Sequence, residues 1–195
     1  NDLKKAARHY RKAIAARRGD QTLYRDLAEI LVADGKRPAA IELLAAMPVE
    51  GKRRADVTIM LAQAYLDEKL YDETIDLLDS TPYFVNWEGQ DVTWVVFNKA
   101  HVARGRIRLE EGKAAAALKD FEAALTYPKN LGVGRSDKPQ EAAAQYGRGK
   151  ALEALGRRDE ARAAWKEGAA GAEGSDEQNQ HRELCKETLE RLETK

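Results

Sequence analysis

DGKRPAAIELLAAMP at residues 34–48, EKLYDETIDLLDSTP at 68–82, EGKAAAALKDFEAAL at 111–125 and LGRRDEARAAWKEGA at 155–169 can be laid over one another. In each, a tight turn leads to a small residue (Ala40, Thr74, Ala117, Ala161) and, four positions on, to a large apolar one (Leu44, Leu78, Phe121, Trp165). A headless fifth copy opens the chain with Ala6 and Tyr10, so the small residues are spaced by 34, 34, 43 and 44. Self-similarity at this period marks helical hairpins that bury their apolar faces by stacking on their neighbours. Such arrays mostly bind other molecules rather than transform them.

The pattern outside the four stretches is also helical. From Asp20 to Ala33, Leu23, Leu27, Ile30 and Leu31 recur at three- and four-residue steps and form one stripe. Asp34-Gly35 closes that helix, and Pro38 opens the next in its first turn, where no backbone donor is lost. The second hairpin carries Val57, Leu61, Ala64 and Tyr65, then Ile75, Leu77 and Leu78, with Asp72 or Tyr71 in the turn place and no Gly. Gly105 and Gly149 fall deep inside first helices, where Gly costs roughly 1 kcal/mol relative to Ala. A close approach of a neighbouring backbone would explain that cost.

These residues resemble the tetratricopeptide repeat, a 34-residue helix-turn-helix unit. The resemblance rests on Gly105 and Gly149 in first helices, Gly35, Gly112 and Gly156 in turns, and the small and bulky series. It departs at Ala28 and Ala62, which stand at the Gly place, and at Thr74. It implies an all-α superhelix of about ten helices, whose concave face, lined by first helices, holds peptides or partner domains. The expected organisation is one solenoid: a remnant second helix at 1–19, hairpins at 20–48, 54–82, 91–127 and 138–171, and a capping helix at 175–194. Leu184, Cys185, Thr188, Leu189 and Leu192 form the packing stripe of that last helix. The chain begins without Met and inside a repeat, so it is read as a piece of a longer protein.

Composition narrows the function classes. Hydrophobic residues at 43% beside charged residues at 34% suit amphipathic surface helices and speak against disorder. Thirty-three basic and thirty-three acidic residues cancel, so no global field draws the molecule to nucleic acid or an acidic membrane. Local asymmetry survives: residues 1–20 hold seven Lys/Arg against two Asp, and 173–195 hold seven Asp/Glu against four Lys/Arg. Solvated helix faces are the reading adopted for both. Cys185 is alone, which excludes an intrachain disulfide and favours a reducing compartment. With no apolar run of membrane length and no leader, the chain is expected to be soluble and cytoplasmic.

Two units exceed the period, and both insertions fall between hairpins. The first, around residues 80–90, brings Tyr83, Phe84 and Trp87 just ahead of Trp94 and Phe97, on a helix expected to be capped by Asp91. Its aromatics either stack on a sugar, base or peptide or fold back to plug a gap. The second, residues 127–139, carries Gly132, Gly134 and Arg135, where amides and a guanidinium could hold an anion. It lacks the ending of a phosphate-binding loop, and a plain turn is its default reading. TrpGluGly followed by an aromatic helix and TyrProLysAsnLeuGlyValGly also resembles the repeat tract of large bacterial proteins that carry an uncharacterised carbohydrate-associated β-rich domain. That resemblance implies insertions facing such a domain or its sugar-related partner.

No catalytic constellation is visible. His9, His101 and His181 lie on separate units, and no two His stand four residues apart. We therefore expect no enzyme, no cofactor and no metal. A clamp for a C-terminal carboxylate would use the places of Arg25, Glu29, Met60, Lys99 and Ala103, and Glu29 would repel its ligand. The expected partner surface instead comprises Arg25, Ile59, Gln63, Leu66, Val102, Arg106, Tyr146 and Lys150 on first helices, together with Tyr83, Phe84, Trp87 and Arg135 in the insertions. An apolar centre with a basic end suits an amphipathic or acidic protein segment, or another domain of the parent protein. The alternatives are a carbohydrate-associated module using the aromatic insertion, and a structural spacer that dimerises through the face of Leu3 to Ile14.

Overall fold

The computed structural model describes residues 2–85 and 91–194. Among these it contains ten α-helices, one short 3-10 turn and no strand. The chain divides into two compact units, Asn1–Val85 and Asn86–Lys195.

The first unit holds α1 (Asp2–Ala16), α2 (Gln21–Ala33), α3 (Arg37–Ala45), α4 (Ala55–Asp67) and α5 (Tyr71–Ser80). Asp20 caps α2, its carboxylate accepting from the Thr22 amide at 3.2 Å. One core gathers Leu27, Ala28, Leu31, Ala40, Leu44, Val57 and Leu61, with Ala7 of α1 buried in it. Tyr10 and Ile14 pack against the same core, so the apolar face of α1 lies on α2 and is not the bare face expected from the repeat register. Leu3 alone of that face remains 39% exposed.

The second unit holds α6 (Val92–Glu110), α7 (Ala114–Ala124), a 3-10 turn (Lys129–Leu131), α8 (Ala142–Ala154), α9 (Arg158–Ala170) and α10 (Asp176–Glu193). Its core gathers Ala117, Phe121, Ala151, Leu152, Ala161, Trp165 and Cys185. Of the expected α10 stripe, Cys185 and Thr188 are buried and Leu189 and Leu192 pack against that core, while Leu184 is half-buried and lies outside it. Burial pushes the Cys185 thiol up to about 12, which leaves it protonated and inert.

All four small residues of the repeat are at most 1% exposed, and the bulky residues that follow them at most 2%. Thr74 fits because its hydroxyl donates to the Leu70 carbonyl at 2.7 Å and so needs no other partner. The hairpin turns share one backbone device. Gly35, Gly112 and Gly156 have φ of 72°, 75° and 77°, and in the second hairpin Lys69 takes the place at 62°. Each turn then closes with a bond from the next amide to a carbonyl five residues back: Lys36 to Leu31, Leu70 to Tyr65, Lys113 to Arg108, Arg157 to Leu152. The turn residue of the second hairpin is thus Lys69 rather than Asp72 or Tyr71. Asp91 does precede α6, but its side chain makes no capping bond.

The helix glycines make room for rings, not for backbone as expected. A Cβ on Gly149 would lie 2.2 Å from Trp165 Nε1, and one on Gly105 would lie 3.0 Å from Phe121 Cε1. Gly147 does the same service: its Cβ would lie 2.2 Å from Phe121 Cε1. In the second unit the bulky residues of the second helices, Phe121 and Trp165, therefore seat against glycines of first helices.

Candidate functional site

The proposed first-helix surface of the second unit is carried by α6 and α8. Val102 and Arg106 stand one turn apart on α6, and Tyr146 and Lys150 one turn apart on α8. Val102 and Tyr146 rest on the shared core, while Arg106 is exposed and enters no ion pair among the described residues. Lys150 bonds Glu153 at 2.7 Å on its own helix. The Tyr146 ring lies 6.0 Å from the His181 ring, and Lys99 lies 3.6 Å from Glu177, so α10 borders this surface.

In the first unit Ile59 and Leu66 are half-buried, and Gln63 donates to Asp67 at 2.7 Å. Arg25 is held by Asp56 at 2.9 Å and Asp26 at 2.7 Å, which leaves its charge matched. Hydrogen bonds from Arg54 and Arg25 outweigh burial and bring the Asp56 carboxyl down to about 2.

The insertion residues separate. Tyr83 is 65% exposed, whereas Phe84 is 1% exposed and has no face left for a ligand. Trp87 lies outside the described residues. The second insertion folds back on α6. Tyr127 stacks on Trp94 with centroids 4.8 Å apart, Trp94 Nε1 donates to the Thr126 carbonyl at 2.9 Å, and Thr93 donates to that of Leu131 at 2.9 Å. Arg135 reaches Glu141 through two parallel bonds of 3.0 and 2.7 Å, and the Tyr127 hydroxyl donates to the same carboxylate at 2.8 Å. The anion that Arg135 holds is thus a side chain of its own unit, at the start of α8.

Below that loop is an open cleft of ≈ 500 Å³ between the start of α8 and the end of α9. Among its polar side chains, Gln145 donates to Glu167 at 2.7 Å, and Gln178 accepts from the Ala142 amide at 2.9 Å and donates to the Ala172 carbonyl at 3.1 Å. No group of three His, Cys, Asp or Glu among the described residues is arranged to hold a metal ion. No helix among them is long and apolar enough to cross a membrane.

One cluster escaped the sequence reading. Asp120, on α7 and 2% exposed, accepts from Arg104 at 2.7 Å and Arg108 at 2.8 Å, with His101 Nδ1 at 3.3 Å. Burial opposes its charge, but the bonds from His101 and Arg104 and the charges of Arg104 and Arg108 hold the carboxyl below its usual value. The signal was available on α6, where His101, Arg104 and Arg108 line one stripe at three- and four-residue steps.

Comparison with known proteins agrees with this architecture. Residues 102–177 match the tetratricopeptide repeat family. A crystal structure of MamA protein superposes with a TM-score of 0.51 at 22% identity, covering 85% of this chain and 80% of that one. A second crystal structure of MamA gives 0.52 at 20% identity, covering 95% and 92%. At these identities the likeness concerns fold alone. No curated protein matches the chain. Residues 102–177 thus match the tetratricopeptide repeat, in a chain with an all-α fold like that of the MamA structures.

Proposed function

We propose that this chain is a protein-interaction scaffold whose second unit holds an acidic or amphipathic peptide segment on the first-helix surface of α6 and α8. Tetratricopeptide repeats are generally non-enzymatic scaffolds, which supports the broad reading. The observation that carries the finer one is Arg106: an exposed guanidinium without an ion pair among the described residues, one turn from the half-buried Val102. Val102 and Tyr146 offer apolar contact, Arg106 adds a positive charge unpaired among the described residues one turn along α6, and Lys150, one turn along α8, shares its charge with Glu153. In the first unit, Ile59, Gln63 and Leu66 are a second place for such contact, while Arg25 is already held by Asp56 and Asp26.

The probe is a displayed library of acidic amphipathic peptides, with the best binders measured by fluorescence anisotropy. Arg106→Glu with Lys150→Glu is expected to weaken them at least about tenfold, a change of roughly 1.4 kcal/mol. Thermal unfolding should be unchanged, because both side chains lie outside the core. Peptides that bind the double variant as tightly as the parent chain would refute the reading.

A further inference from the structure

The basic N-terminal helix presents a surface that the peptide reading does not use. Lys4, Lys5, Arg8, Arg11 and Lys12 are all exposed and fall within about a third of the α1 circumference, opposite the face packed on α2. None of the five enters an ion pair among the described residues. Lys4 lies near enough to Asp34 to contribute to lowering its carboxyl, after the hydrogen bond from Lys36. The charge of Arg8, Arg11 and their neighbours therefore stands open to solvent. Arg106 is likewise without an ion pair among the described residues, whereas Arg25, Arg37, Arg104, Arg108, Arg135 and Arg157 each have a carboxylate partner.

The matching surface is on α10. Asp176, Glu183, Glu187 and Glu190 are exposed on the side opposite Cys185 and Thr188. Lys186 bonds Glu183 at 2.7 Å, while Glu187 and Glu190 have no ion pair among the described residues. Arg8 and Arg11 are three residues apart, as are Glu187 and Glu190. Each pair is extended by a fourth-residue neighbour, Lys4 on one helix and Glu183 on the other. Two helices lying side by side bring equal spacings of opposite charge into register over seven residues, about 10 Å.

We infer that the basic face of α1 docks on the acidic face of α10 in a second copy of this chain. Charge complementarity with matched spacing selects this occupant over a nucleic acid or an anionic membrane, toward which the whole chain, at a net charge of zero, has no general attraction. Contacts of this kind are exposed and carried by charge, so the association is weak and sensitive to salt. It is distinct from dimerisation through Leu3 to Ile14, whose apolar face α2 already covers in large part.

Sedimentation equilibrium at an ionic strength of about 0.01 M, where screening reaches about 30 Å, should show a mass that rises above one chain with concentration. At about 1 M, where the length is about 3 Å, it should return to that of one chain. Arg8→Glu with Arg11→Glu, and separately Glu187→Lys with Glu190→Lys, should each abolish association without loss of helicity. Mixing the two variants should restore it, because each then meets the opposite charge it lacks. A single-chain mass at every concentration in low salt would overturn the inference, as would association that survives either variant or a mixture that fails to recover it. It would also be overturned if Arg8→Glu with Arg11→Glu left the mass unchanged but removed binding to a DNA duplex or to phosphatidylserine vesicles.

Discussion

Replacing Gly147 and Gly149 with alanine together is expected to destabilise the second unit by about 3 kcal/mol, although alanine is the better helix former. The helix-propensity gain is roughly 1 kcal/mol per site. Against it stands overpacking, which costs about 1–3 kcal/mol where side chains can move and more where they cannot. Here each new Cβ would lie 2.2 Å from a ring, that of Phe121 or Trp165, and both rings are at most 2% exposed. Trp165 also donates to the Tyr146 carbonyl at 3.3 Å, a bond that a displaced indole loses. Gly105→Ala is the internal comparison, because its nearest contacts of 3.0–3.1 Å need only a small adjustment and should leave it close to neutral. Chemical denaturation of the two variants tests the order. Phe121→Leu in the Gly147→Ala background should recover part of the loss, and strict additivity of those two changes would contradict the ring-seating account.

Asp120→Asn is expected to cost about 3 kcal/mol, since removing one partner of a buried charge cluster leaves the others uncompensated. The loss falls at the low end of that range because Arg104 and Arg108 keep 18% and 31% of their side-chain surface and can recover some hydration. The pH dependence gives a second readout. The folded carboxyl titrates below its ordinary 3.8, so its stabilisation is complete above about pH 4 and is lost as pH falls through the folded value. Stability measured from pH 6 down to pH 3 should fall in the parent chain and fall less steeply in Asp120→Asn. Parallel curves would place the acid sensitivity elsewhere.

These two expectations also divide what could be read from the sequence from what could not. The positions of Ala40, Leu44, Ala117, Phe121, Ala161 and Trp165 were legible because volume and period coincide, and a repeated small-large step has few physical meanings. Gly105 and Gly149 were legible as close contacts, but the contacting group was not, since a glycine reports only that space is short. Gly147 added nothing to the pattern in one dimension and became meaningful once Phe121 lay over it. Lys69 could not be singled out, because a lysine gives no local hint of a positive φ; only the closing bond from Leu70 to Tyr65 places it there. Asp120 looked like one more surface acid among alternating charges. Its burial depends on three α6 side chains that reach it from the neighbouring helix.

For the candidate surface the sequence offers positions on helices, and not the surroundings of each side chain. The periodicity sets Val102, Arg106, Tyr146 and Lys150 on one side of their helices; in the structure Arg106 is exposed, while Val102 and Tyr146 pack partly on the core. It could not show that Phe84 would be enclosed while Tyr83 next to it stays open, nor that Glu141 would answer Arg135. Loop residues take their role from whatever their backbone happens to approach, and that information is not local.

Gln178 gives the end of the chain an influence beyond its own turns. Its amide oxygen takes the Ala142 amide at the entry to α8 while its nitrogen gives to Ala172 past the end of α9. Protection of the Ala142 amide against hydrogen exchange is therefore governed by how often α10 detaches, and not by fraying of α8 itself. A solvent-exchange rate measured at one amide in the fourth hairpin thus reports the opening of a helix more than thirty residues further along the chain.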